Sequence, residues 1–129
     1  MLMGLLTMAF AVGQTGCLER LAANSTAKIM NRASPAIQTF ADPAIAEASL
    51  PYSITQMEGL MRVIPDNVLL RGNAMRAYGS YGYGFLEDRM EQAEVDDDEA
   101  RIELYRQLAT MSYLRAMEIG FETMSMDAD

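Results

Sequence analysis

From residue 51 onward, apolar side chains recur every three or four positions, the spacing of one face of an α-helix. Ile54, Met57, Met61 and Ile64 form such a stripe, widened by Leu60, and predict a helix over 51–64 that Pro51 opens and Pro65 ends. A second helix runs from 67 to about 91, with Leu70, Ala74, Ala77, Tyr81 and Phe85 on one face and Leu69, Met75, Tyr78 and Leu86 beside them. A third spans about 98–121, where Ile102, Tyr105, Ala109, Ser112, Ala116 and Ile119 share a stripe flanked by Leu104, Leu108 and Met111. Pro65 and Asp66-Asn67 leave a link of only two or three residues between the first two of these helices, which forces them antiparallel. Both later arcs are wider than one helix contact needs, as in layered helical stacks.

The first third of the chain reads differently. Ser34-Pro35 and Asp42-Pro43 each set a capping side chain before a proline at the first helical position, and predict two short helices over 35–41 and 43–49. Residues 18–34 carry Asn24, Ser25, Thr26 and Asn31 with little apolar periodicity, and read as a tether. Leu2 to Val12 form an apolar run followed by Gly13-Gln14-Thr15-Gly16-Cys17, the outline of a secretory signal with a small-residue cleavage zone, too short for a permanent span. Cys17 then resembles a bacterial lipoprotein cysteine, acylated as the first mature residue. No Lys or Arg precedes the run, and Gln14 stands where an aliphatic residue is expected. The organisation expected is a signal peptide over 1–17, a tether over 18–34 and one helical domain over 35–129.

Composition narrows the chemistry. The net charge of −8, concentrated after residue 41, disfavours nucleic acid, whose affinity comes largely from Lys and Arg neutralising phosphates. The chain has no histidine, which removes the commonest general base and zinc ligand together. Glu87, Asp88 and Glu91 lie among opposite charge, as on a solvated face. Glu94 and Asp96 to Glu99 form an acidic run where carboxylates cap free N–H groups at a helix start, and the spacing is not that of a calcium loop. No catalytic residue, metal ligand set or cofactor is assigned, and a non-enzymatic protein is expected.

The segment Ala77 to Phe85 interleaves Tyr78, Tyr81, Tyr83 and Phe85 with Gly79, Gly82 and Gly84. Each glycine costs about 1 kcal/mol of helix propensity relative to alanine, so some gain must offset it. Close packing of rings against glycine is one account. The other is a ligand or partner surface built from Tyr78, Tyr81, Tyr83 and Phe85, extended by Met111 and Tyr113 of the last helix. Of twelve methionines, Met57 and Met61 read as core, and Met90 and Met117 as edge or interface.

Leu60 through Leu70 looks like the seam between two tetratricopeptide units, with Ala74, Ala77 and Tyr78 where such repeats place small residues and a tyrosine. Asp42-Pro43, this seam, the run Ala77 to Asp88 ending Phe85-Leu86-Glu87-Asp88, and Tyr113 to Gly120 together resemble the T-component family of TRAP transporters, over about residues 42–121. The resemblance implies an all-α, tetratricopeptide-like stack of antiparallel hairpins in a periplasmic lipoprotein. It further implies association with a TRAP substrate-binding protein, with a hydrophobic small molecule and homo-oligomer formation as further expectations. Additional hairpins would follow in a longer family fold, of which 35–129 would be an N-terminal part. The alternatives are an envelope lipoprotein scaffold with no transport role and a carrier for an apolar small molecule.

Overall fold

A computed structural model describes residues 2–39 and 42–126. Among them the elements are helical throughout: α1 (Leu2–Gln38), α2 (Pro43–Val63), α3 (Val68–Tyr81), one π-helical turn (Gly82–Leu86), α4 (Glu87–Val95) and α5 (Glu99–Met126). The protein is all-α, as the periodicity predicts.

Helix α2 is longer than the prolines suggest. Asp42 caps it as expected, its carboxylate accepting from Ala44 N at 2.9 Å with Pro43 in the first turn. Pro51 does not break it, and the two helices expected over 43–49 and 51–64 are one. An internal proline forfeits one backbone hydrogen bond. Here Leu50 and Ile54, on either side of it, are both buried, and continuing the helix keeps them on one face.

Residues 64–67 turn the chain back. Asn67 caps α3 through its side-chain oxygen, which accepts from Leu70 N at 2.9 Å, while its amide nitrogen donates to Asn24 Oδ1 at 2.8 Å. Glu58 meets Tyr78 and Glu47 meets Arg89, so α2 runs antiparallel to the α3–π–α4 rod. Arg71 meets Glu122, Ser112 meets the carbonyl of Tyr78, and Tyr113 meets Glu87, so α5 is antiparallel to the rod on its other side. The rod is thus shared by two hairpins, which explains its wide apolar arc.

The π turn sets the facing of the rod. At 100° per residue, an unbroken α-helix would point residue 93 about 140° away from residue 70. A π turn inserts one residue and takes back about 100° of that rotation. Leu86 and Ala93 are therefore buried with Leu70 and Ala74, whereas the uninterrupted stripe expected from sequence placed Phe85 at the core position. At the far end, Asp97 adopts a positive φ of 53°. Its N–H and that of Asp98 return to the carbonyls of Glu94 and Ala93 and close α4. Asp98 then caps α5 through Arg101 N, and Asp96 and Asp98 both pair with the Arg101 guanidinium. The acidic run is spent on the turn, as its position predicts.

The tether expected over 18–34 is instead the packed half of α1. Ala23 and Ala27, four residues apart, are buried against Ile54, Ile64, Leu70 and Ile119 in the main core, with Met30 beside them. Two small residues at that spacing let helices approach closely. The polar residues that suggested a loop serve the helix: Ser25 and Thr26 hydroxyls donate to the carbonyls of Leu21 and Ala22. Asn24 pairs with Asn67, Asn31 accepts from Asn73 at 3.1 Å, and Arg20 pairs with Asp66. These contacts set α1 parallel to α3. Pro35 lies inside α1, so no separate helix begins there; residues 40–41 of the expected 35–41 helix lie outside the described residues. Ser34 does not cap, its hydroxyl donating to Asn31 O.

Because Asn67 serves both α3 and α1, Asn67→Ala should cost about 1–2 kcal/mol in urea denaturation, the upper part of the range for a lost cap. Asn67→Asp keeps the capping oxygen and loses only the donor to Asn24, and should fall between the two.

Candidate functional site

The aromatic-glycine segment separates two surface grooves. Tyr78, Tyr81 and Met111 come together in one of about 410 Å³, between α2, the rod and α5. At its mouth Arg115 makes a two-pronged ion pair with Glu58, Nε to Oε1 at 2.7 Å and Nη2 to Oε2 at 2.8 Å. Its Nη1 donates to Glu118 at 2.6 Å, and Tyr78 Oη donates to Glu58 at 3.0 Å. The Arg115 guanidinium, aided by the Tyr78 hydroxyl, holds the Glu58 carboxyl below its ordinary value against the opposing effect of burial. Burial, reinforced by Glu58, pushes Tyr78 up. Three helices are joined at this one carboxylate.

The remaining sequence-predicted site residues are dispersed. Phe85 lies 6.1 Å from the Tyr81 ring, centroid to centroid, but lines the other groove. Tyr83 is exposed and borders neither. Tyr113 packs on the rod: a Cβ at Gly82 would lie 2.9 Å from its ring, and its hydroxyl donates to Glu87 at 2.7 Å. Burial first, and the Glu87 carboxylate second, raise its pKa to about 12. Cys17 is exposed on α1.

The close-packing account of the glycines therefore holds at Gly82 and not at Gly79 or Gly84, where an added Cβ would meet nothing within 4 Å. Gly79→Ala should raise stability by up to about 1 kcal/mol through helix propensity. Gly82→Ala should forfeit that gain, because the Tyr113 ring must move off and its bond to Glu87 stretch. Paired thermal melts of the two variants check the difference.

The second groove, about 500 Å³, lies between the end of α1, α2 and the rod, and the sequence reading missed it. Apolar and small side chains line most of it, among them Met30, Leu50, Met57, Ala77 and Phe85, with Asn73 and Arg76 on one wall. Its floor depends on α1 being packed, so a chain read with a tether there shows no groove at all.

Exposed apolar residues also run along the outer side of α5: Leu114, Met117, Phe121 and Met124 recur at three and four and are each more than half exposed. No helix among the described residues is long and apolar enough to cross a membrane.

These features define an all-α protein of antiparallel helical hairpins with two surface grooves and an exposed apolar stripe. A model of the TRAP transporter T-component family matches residues 39–129, and the chain belongs to that family. No curated protein and no solved structure matches it.

Proposed function

We propose that this chain is a non-enzymatic accessory of a TRAP-type transporter that docks the system's substrate-binding protein in the periplasm. Membership of the T-component family over residues 39–129 carries this reading, since that family is a transport component. The exposed stripe of α5 supplies a surface of the kind protein partners cover: contiguous, apolar and rich in adaptable methionine. Further tetratricopeptide-like hairpins or a second copy of the chain would use the same stripe. An apolar ligand fits a groove beside the rod.

Cys17 would carry the anchor, following cleavage after Gly16. Arg20 is already tied to Asp66, so only Leu18 and Glu19 would separate the acylated residue from the folded body. Such an anchor holds the protein against the bilayer rather than on a leash.

Capture from its own periplasmic extract, followed by mass spectrometry, tests the partnership. A TRAP substrate-binding protein should be recovered, and Phe121→Glu should abolish recovery while leaving the melting temperature within a few degrees of the parent. Recovery of unrelated envelope proteins alone would favour the scaffold reading. Incorporation of a labelled acyl chain that Cys17→Ser abolishes would establish the anchor.

A further inference from the structure

The 500 Å³ groove between α1, α2 and the rod has one charged lining residue, Arg76, and no acidic one. Among the described residues no carboxylate lies within ion-pair distance of Arg76, Lys28, Arg32 or Arg62, whereas Arg20, Arg71, Arg89, Arg101, Arg106 and Arg115 each have one. Of the four cations without a carboxylate, Arg76 is the one that lines a groove.

Its position is built. Asn73, 5% exposed, accepts from an Arg76 Nη2 through its side-chain oxygen and donates its amide nitrogen to Asn31. That chain of side chains runs from α1 to α3 and engages both the oxygen and the nitrogen of the Asn73 amide, which fixes its orientation and steers the guanidinium. Nη2 has a second hydrogen beyond the one given to Asn73, and together with Nε or Nη1 it can hold a carboxylate in a bidentate pair.

The rest of the groove is lined mainly by apolar side chains, with Ser34, Ser53, Gln56 and Ser80 among them, and extends along the rod from Arg76 to Phe85, about 13 Å at 1.5 Å per residue, the reach of a medium-length acyl chain. Met30, Met57 and Leu50 form its walls, and methionine adapts to a flexible tail. Phe85 lines the end remote from Arg76.

We propose that this groove binds a single-chain amphiphile with a carboxylate head, the head on Arg76 and the tail lying between Leu50, Met57 and Phe85. This rests on the ligand half of the function proposed above and not on its protein partner. It also moves the ligand away from the Tyr78–Tyr81–Met111 groove, whose arginine is already satisfied by Glu58 and Glu118.

Calorimetric titration of the purified, delipidated protein with dodecanoate, dodecanol and dodecylammonium tests the assignment. Dodecanoate should bind about tenfold more tightly than dodecanol, the increment of a charge-assisted over a neutral hydrogen bond, and dodecylammonium should not saturate. Lengthening the carboxylate tail from decanoate should raise affinity about fourfold per methylene while the groove lasts. Arg76→Gln should erase the preference for dodecanoate and leave dodecanol unchanged, and Arg76→Lys should restore part of it. Ser80→Phe, at an exposed lining position, should block both ligands with circular dichroism unchanged. Equal affinity for acid and alcohol, undiminished dodecanoate binding by Arg76→Gln, or no binding by the folded protein would each overturn the proposal. None of these results depends on whether a substrate-binding protein is captured, so the two readings fail separately.

Discussion

Leu70→Ala should lower the unfolding free energy by about 3–4 kcal/mol, within the range for a buried leucine that leaves a cavity behind. Leu70 is wholly buried and belongs to the cluster in which α1, α2, α3 and α5 meet through Ala27, Met61, Ala74 and Ile119. Four helices cannot collapse onto one missing side chain together, so little of the cavity closes. Leu69, one position earlier, is 55% exposed, and Leu69→Ala should change stability by less than about 0.5 kcal/mol. Urea denaturation of both variants separates a shared core from general loss of hydrophobicity. Amide exchange should show α1 affected in the first and not the second. Equal effects would mean that α1 and α5 do not share this core.

The second large effect lies at Glu58. Glu58→Ala leaves the Arg115 fork and the Tyr78 hydroxyl without their shared acceptor, at a cost of about 2 kcal/mol for a partly buried pair. The loss should depend on pH with a definite sign. Because the folded protein holds the Glu58 carboxyl below its ordinary value of 4.5, its contribution is fully present above that value and fades as pH falls through the lower folded-state value. The gap between parent and variant should therefore be flat near neutrality and narrow below about pH 4.5. Chemical denaturation at pH 7, 5 and 3.5 reads it directly. A gap that widens on acidification would show that the carboxylate is not stabilised in the folded state. Arg115→Met, which removes the cation and keeps the apolar stem, gives the complementary variant for a double-mutant cycle.

Much of this architecture was legible in the sequence because periodicity survives where packing is regular. Ile102, Ala109, Ser112, Ala116 and Ile119 form the buried side of α5 at the spacing that announced them. Met57 and Met61 are buried, and Met117 lies exposed. Asp42-Pro43 opens α2, and Asp98 caps α5.

Reading failed where a local rule met a tertiary contact. Asn24 and Asn31 favour loops in isolation, yet each finds an asparagine on a neighbouring helix, and no pattern within α1 foretells the pairing. Ala23 and Ala27 carry too little hydrophobicity to form a visible stripe, although small size is what lets α1 seat so closely. Pro51 reads as a boundary because its local cost is known and the burial of Leu50 and Ile54 is not. The candidate site suffered most. A ligand surface inferred from aromatic residues at successive positions assumed one uninterrupted face, whereas the rod sends Tyr81 to one groove, Phe85 to another and Tyr83 to solvent. Arg76 gave no signal at all, since its isolation from carboxylates is a property of the fold.

The π turn imposes a last constraint of an unusual kind. Tyr83 and Gly84 lie at the surface, and an added Cβ at Gly84 would meet nothing, so their chemistry is nearly free. Their number is constrained in one direction only. Losing either one would restore an ordinary helix that still turns Leu86 and Ala93 toward the core, because the inserted residue and its 100° vanish together, whereas adding one would swing both about 100° away. The segment can be rewritten letter by letter and shortened by one, but it cannot be lengthened.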